Sequence, residues 1–297
     1  MPDSTDSSPP CFNAGWRIRG REVDLASRSR VMGIVNVTPD SFSDGGHYLT
    51  PGAAIELGLR LAGEGADILD VGGESTRPGA EAVSAGEEIR RVEPVIRALR
   101  DALPDQMLSI DTSKAEVAEA ALAAGADIIN DVTAGRGDAD LLPLAARTGA
   151  GLVLMHMRGT PRTMQKYPQY ENVIREVSDF LRRRMRAAVD AGVNPDQLVL
   201  DPGIGFGKTL EHNLQLLAGL EGFRKLGRPL LLGVSRKRWL GELTGRDVGD
   251  RLAASLAGAA ACHQRGAKIL RVHDVIETCD MLRILDSISQ SQIDSAL

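Results

Sequence analysis

At 297 residues, with 43% hydrophobic and 25% charged side chains, the chain has an ordinary globular composition and enough length to bury a substantial core. Its formal net charge of −5 offers no electrostatic footprint for nucleic acid or for an anionic membrane, so any basic groups that hold a ligand must be local. No apolar run approaches the ~18 residues of a membrane span, and the three cysteines (Cys11, Cys262 and Cys279) are odd in number and lack metal-ligand spacing, which predicts reduced thiols and a cytoplasmic setting.

Residues 1–14 are acidic and rich in Ser and Pro, without the basic start and apolar stretch of a secretory signal, and are predicted to form a disordered tail. From there on, short apolar runs alternate with amphipathic segments. The runs occupy 31–37, 68–71, 108–110, 128–132, 152–157, 198–200, 230–234 and 269–272. They are too continuously apolar for half-exposed strands and suit strands covered on both faces. Between them, segments such as 51–65, 84–103, 113–125 and 171–192 carry helical periodicity. Such alternation predicts an α/β fold with a parallel sheet, and eight units within this length favour one closed (β/α)8 TIM barrel over 15–286. Gly65-Ala66, Gly125-Ala126, Gly149-Ala150 and Gly266-Ala267 each precede a run, as expected where a left-handed glycine ends a helix and the chain turns into the next strand. The stretch 287–297 is predicted to be a C-terminal tail. Gly203-x-Gly205-x-Gly207-Lys208-Thr209 resembles a nucleotide loop only superficially, because Pro202 stands where the first glycine is required. The Arg182-Arg183-Arg184 run is predicted to be a solvated helix face.

In barrels of this class the site lies at the C-terminal ends of the strands. Each apolar run here is followed by polar residues: Asn36, Asp70, Asp111, Asn130-Asp131, His156, Asp201, Ser235-Arg236-Lys237, and Arg271 with His273. Each has a structural explanation when taken singly. Asp111 could cap a helix, Asp201 could brace the turn before Pro202, and Arg271 and His273 could form surface ion pairs. A purely structural explanation gives no reason for polarity at every strand end.

The segments Asn-Val-Thr-Pro-Asp-Ser-Phe-Ser-Asp-Gly-Gly (36–46), Gly-Gly-Glu-Ser-Thr-Arg-Pro-Gly (72–79), Asp-Pro-Gly-Ile-Gly-Phe-Gly-Lys (201–208), Ser-Arg-Lys (235–237) and Arg-Val-His-Asp (271–274) resemble the signature segments of the dihydropteroate synthases, in that family's order from about 31 to 285. The resemblance implies a transferase that joins p-aminobenzoate to 6-hydroxymethyl-7,8-dihydropterin pyrophosphate and releases pyrophosphate. Asp111, Asn130, Asp201 and Lys237 match pterin contacts. A carboxylate such as Asp201 suits the ring's adjacent N–H donors, and Asn130 both donates and accepts. Met155, Ile204 and Phe206 would form apolar walls. Arg271 and His273 match the pyrophosphate-binding positions, Thr76 approaches the same group, and Asn36 matches a contact to Mg²⁺. Phe42, Thr76, Arg77, Pro78 and Ser235 match the p-aminobenzoate site, on or beside long loops after the first two strands. The catalytic set implied is Lys237, Arg271, His273 and Asp111, in a reaction where pyrophosphate departs before the arylamine attacks. The resemblance also implies a homodimer through the last helices, where 252–261 is rich in Ala, and sulfonamide binding. Two departures, Ile204 in place of a bulkier Phe and Arg238 after the Ser-Arg-Lys motif, leave this implication standing.

Two alternatives share parts of the pattern. A corrinoid-dependent methyltransferase of the related pterin-binding type should lack 76–79 and the Ser-Arg-Lys and Arg-Val-His groups. A non-catalytic pterin-binding descendant should have lost Arg77, Lys237 or His273. All of these residues are present.

Overall fold

The computed structural model describes residues 15–38, 50–75, 80–160, 163–164 and 168–294. In chain order the elements are β1 (Gly15–Ile18), β2 (Arg21–Asp24), β3 (Arg30–Asn36), α1 (Pro51–Gly63), β4 (Ile68–Gly72), α2 (Ala85–Ala102), β5 (Met107–Asp111), α3 (Ala115–Ala124), β6 (Ile128–Asp131) and α4 (Leu141–Thr148). They continue with β7 (Gly151–Met155), α5 (Val173–Asp190), β8 (Leu198–Asp201), α6 (Leu210–Ala218), β9 (Leu231–Leu232), α7 (Arg238–Thr244), α8 (Leu252–Gln264), β10 (Ile269–Val272) and α9 (Val275–Asp294).

Eight strands form one sheet in the order β8-β7-β6-β5-β4-β3-β10-β9, and neighbouring strands in it pair in parallel. A further parallel bridge between Leu200 and Leu230 joins the two ends, so the sheet closes into a (β/α)8 barrel. The strands are buried along almost their whole length, as their continuous apolar runs require. The four Gly-Ala repeats behave as expected. Gly65, Gly125, Gly149 and Gly266 all have φ between 68° and 117° and end the helix before the next strand.

Three features differ from the expectation. The run 230–234 contributes only two strand residues, Leu231 and Leu232. The chain is pulled out of regular pairing there because the Pro229 carbonyl accepts from Leu200 N and the Leu230 carbonyl accepts from both Lys268 N and Ile269 N. The N-terminal hairpin β1–β2 is an addition. Its tight turn places Arg19 at φ 47° and Gly20 at φ 81°, the primed geometry that matches strand twist. Helix α9 continues to Asp294, through most of the stretch expected to be a tail. The run Arg182-Arg183-Arg184 is solvated at its first two members, while Arg184 folds back to donate to the carbonyls of Ala134 and Gly135.

The hairpin has a definite job. Trp16, Ile18 and Leu25 form a buried cluster with Met32, Ile68, Ile128, Val153, Val199, Leu231 and Ile269, and Met107 packs against it from β5. These residues lie near the N-terminal ends of all eight barrel strands, so the hairpin stoppers the bottom of the barrel. Trp16 is fully buried and its Nε1 donates to the Gln197 carbonyl at 2.7 Å. Gly151 makes room for it, since a Cβ there would stand 2.9 Å from the indole ring. With that end filled, the cavity found among the described residues lies where the strands end.

Candidate active site

A cavity of about 740 Å³ lies at the C-terminal mouth of the barrel. Of the residues predicted from sequence, it is lined by Asn36, Asp111, Phe206, Ser235, Lys237, Arg271 and His273. Asn130, Met155 and Asp201 do not line it; they are buried beside it at the ends of β6, β7 and β8. Phe42, Thr76, Arg77 and Pro78 lie outside the described residues. Ile204, expected as a ring wall, is packed into the main core between sheet and helices. Met155 is likewise packed in a hydrophobic cluster. With Val132, Met157 and Met164 it forms a small separate cluster against which Phe206 packs.

The polar groups are wired together around Arg271. Its Nε donates to Asp70 at 2.6 Å and its Nη2 donates to Asp111 at 2.8 Å. Asp70 also accepts from Asn130 Nδ2 at 3.0 Å. Asp70 is fully buried in the middle of β4, and sequence reasoning gave it no role. The available signal was a carboxylate placed within an otherwise apolar run. Arg271 is therefore not the surface ion-pair residue that its sequence position also allowed. It is a half-buried junction on the cavity wall holding two carboxylates in fixed orientation. The other oxygens, Asp70 Oδ1 and Asp111 Oδ1, are buried without a hydrogen-bond partner among the described residues. An unpaired buried acceptor is costly unless a ligand supplies the donor.

Burial sets the protonation of these groups. It raises Asp111 to about 7, with Asp70 and other acids adding to the rise and Arg271 opposing it. It raises Asp201 to about 6, against the Gly203 N–H, Lys237, Lys208 and Arg271. Lys237 is lowered by burial to about 8, partly offset by Asp201. Burial would also lower Arg271, but Asp70 and Asp111 outweigh it and hold the guanidinium above its ordinary value. Lys237 Nζ lies 4.1 Å from the centre of the Phe206 ring, a cation–π contact that fixes both side chains against the cavity.

Two turns place the remaining groups. After β8, Asp201 accepts from Gly203 N at 2.7 Å, which is the turn-bracing role foreseen for it. After β9, Arg236 adopts φ 56°, unusual for a residue with a side chain. Its guanidinium donates to both oxygens of Asp274, at 3.2 and 2.5 Å, and its N–H donates to Ser255 Oγ at 2.9 Å. These contacts over-determine the strained residue, and the Ser235 and Lys237 side chains on either side of it both line the cavity. Ser235 Oγ lies 3.0 Å from His273 Nδ1 and accepts from His273 N at 3.3 Å. Asn36 stands at the end of β3, where a Cβ on Gly72 would be 3.8 Å from its Oδ1 and also 3.8 Å from Asp111 Oδ2. No group of three or more acidic, His or Cys side chains suited to a metal occurs among the described residues. A lone amide oxygen fits a metal that takes its other ligands from water and phosphate, as Mg²⁺ does.

Residues 32–273 match the family model described as pterin binding enzyme. The chain belongs to the pterin-binding enzyme family. It is 45% identical over 269 residues to the dihydropteroate synthase of Escherichia coli strain K12, an alignment covering 91% of this chain and 94% of that one. Among solved structures, the Xanthomonas albilineans dihydropteroate synthase with 4-aminobenzoic acid superposes with a TM-score of 0.85 at 50% identity, covering 95% of this chain and 99% of the other. The Yersinia pestis dihydropteroate synthase, solved as a sulfonamide drug complex, superposes with a TM-score of 0.89 at 43% identity, covering 93% and 99%. Within the pterin-binding enzyme family, the curated relatives over most of the chain are dihydropteroate synthases.

Proposed function

We propose that the cavity condenses 6-hydroxymethyl-7,8-dihydropterin pyrophosphate with p-aminobenzoate, giving 7,8-dihydropteroate and pyrophosphate, as a dihydropteroate synthase does. The observation that carries this reading is the buried Asp111 Oδ1, on the cavity wall and without a hydrogen-bond partner among the described residues, joined through Arg271 to the cationic side of the same cavity. One end of the site therefore accepts N–H donors while the other attracts a polyanion.

The roles follow from that division. Asp201, Asp111 and Asn130 meet the donors and acceptors of the pterin edge. Met155 and Phe206 bound its faces, and Lys237 donates to the ring. Arg271 and His273, with Thr76, hold the pyrophosphate and stabilise the charge that grows on it as the carbon–oxygen bond breaks. Asn36 would hold Mg²⁺, which would supply positive charge to offset that of the departing pyrophosphate. Ser235, Phe42, Arg77 and Pro78 orient the p-aminobenzoate so that its neutral amine faces the pterin methylene carbon. That amine attacks after pyrophosphate departs and then loses a proton. Orientation and leaving-group stabilisation supply the rate, and no side-chain nucleophile is needed.

A sulfonamide, which places an arylamine on an anionic group, should compete with p-aminobenzoate. We further propose a cytoplasmic homodimer through the last helices. Cys262 and Cys279 are free thiols, and no helix among the described residues is long and apolar enough to cross a membrane. Purified protein should form 7,8-dihydropteroate, with pyrophosphate released, only when the pterin substrate, p-aminobenzoate and Mg²⁺ are all present. No dihydropteroate from folded protein supplied with all three overturns the reading.

A further inference from the structure

The turn after β8 contains a buried lysine that the pterin contacts do not use. Lys208 is 3% exposed, yet its Nζ is fully occupied. It donates to the Gly203 carbonyl at 2.8 Å, to the Phe206 carbonyl at 3.0 Å and to His156 Nδ1 at 3.0 Å. An ammonium has three N–H bonds, and three acceptors surround it. With Lys208 as an ammonium, which cannot accept, His156 Nδ1 is the acceptor and the imidazole is neutral with its proton on Nε2. Burial, with Lys208 next, lowers His156 to about 2, which agrees with that assignment. Burial lowers Lys208 itself to about 7, opposed by the Asp201 carboxylate.

The contacts tie the turn to the end of β7. Gly203, Gly205 and Gly207 all have positive φ, so this segment has little conformational preference of its own and needs an external clamp. It also lies hard against its neighbour: a Cβ on Gly203 would stand 1.9 Å from the His156 carbonyl, and one on Gly207 would stand 2.5 Å from the Arg158 carbonyl. Tyr170 adds a second tie by donating to the Gly207 carbonyl at 2.8 Å. The clamped segment carries the Phe206 ring under Lys237 Nζ and the Gly203 N–H that orients Asp201.

We propose that Lys208 is a positioning residue for the pterin slot. Clasped by neutral His156 and two carbonyls, its ammonium fixes the glycine-rich turn that aims Asp201 and Phe206 at the ring. This rests on the pterin-binding reading above. A clasp of this kind acts on the pterin half of the site and leaves the arylamine half alone, which a general loss of stability does not do.

The test is the dissociation constant of the pterin pyrophosphate, with the KM for p-aminobenzoate at saturating pterin measured alongside. Lys208→Met keeps the length and removes the donors; it should raise the pterin constant by about 10- to 100-fold with the p-aminobenzoate KM unchanged. His156→Asn retains an acceptor near the Nδ1 position and should bind pterin like the wild type, whereas His156→Leu should reproduce Lys208→Met. The double variant, Lys208→Met with His156→Leu, should be no worse than either single one. A pterin constant within about twofold of wild type in folded Lys208→Met, or an equal loss for both substrates, overturns the proposal. If Lys208→Met does not fold, equal pterin binding by His156→Asn and His156→Leu overturns it instead. Failure of the pterin reading itself is distinguishable, because wild-type protein would then not bind the pterin at all.

Discussion

Among single residues, the buried carboxylates dominate the behaviour of the site. Asp201→Asn should weaken pterin binding by about 10- to 100-fold, since a charge-assisted double acceptor is replaced by a group that both donates and accepts. The fold should not suffer. The carboxyl is raised to about 6 by burial, so the folded protein binds its proton more readily than the unfolded chain does between about pH 4 and 6. Stability therefore falls as pH rises through that window, and the ionised group is a net cost at pH 7. The thermal midpoint of Asp201→Asn at pH 7 should be no lower than that of wild type, and a lower one counts against this account. Substrate binding runs the other way. Pterin affinity should fall as the pH drops through about 6 to 7, where Asp201 and Asp111 take up protons, and should fall again above about 8 as Lys237 loses its own. A titration of affinity against pH should be bell-shaped, with the acid limb flattened in Asp201→Asn. The sequence made Asp111, Asp201, Lys237 and Arg271 legible as candidates because each follows an apolar run, the last three within a recognisable motif. Asp70, Lys208 and His156 were not assigned roles, because they act through Arg271 or through backbone carbonyls, and such partnerships appear only once distant strands are side by side.

Helices and strands were legible wherever burial imposes a period. All eight barrel strands fall within or beside apolar runs, because a strand covered on both faces leaves no room for polar interruption. The N-terminal hairpin escaped for the opposite reason. Its strands are four residues each, β2 is largely exposed, and Arg19-Gly20 is a weaker turn signal than Asn-Gly or Asp-Gly. Yet this short element carries a large side chain of the core. Trp16→Ala should cost about 3–5 kcal/mol in chemical denaturation, from the emptied volume and the orphaned Gln197 carbonyl. Because Trp16 lies at the end of the barrel away from the cavity, pterin binding by the folded fraction should be unchanged. A selective loss of substrate affinity would mean that the bottom layer is coupled to the site. The glycine-rich turn after β8 gives the opposite outcome. Gly203→Ala combines φ +70° with a Cβ 1.9 Å from the His156 carbonyl, so the turn has to shift and pterin binding should be lost even where circular dichroism is preserved.

For the molecule as a whole, the barrel follows from eight alternating units, but its assembly state does not follow from one chain. Helix α8, with its run of Ala, and helix α9, with Ile276, Ile284 and Ile288 exposed, belong to the region proposed as the dimer interface. Light scattering at micromolar concentration should report twice the chain mass, and a monomer there removes the dimer from the proposal. Ligand linkage gives a second check. At a pterin concentration of ~100 Kd the folded state gains about 2.7 kcal/mol, so the thermal midpoint should climb with ligand concentration. Finally, the stopper formed by β1 and β2 gives the molecule a back and a front. Chemistry is confined to the front, while the chain enters β1 at the back, where Gly15 is held by a hydrogen bond from Arg228 at 2.9 Å. A second protein module joined upstream of Gly15 would therefore be tethered behind the barrel and leave the substrate doorway clear, which makes that end the natural attachment point for an affinity handle, a surface linker or a neighbouring enzyme.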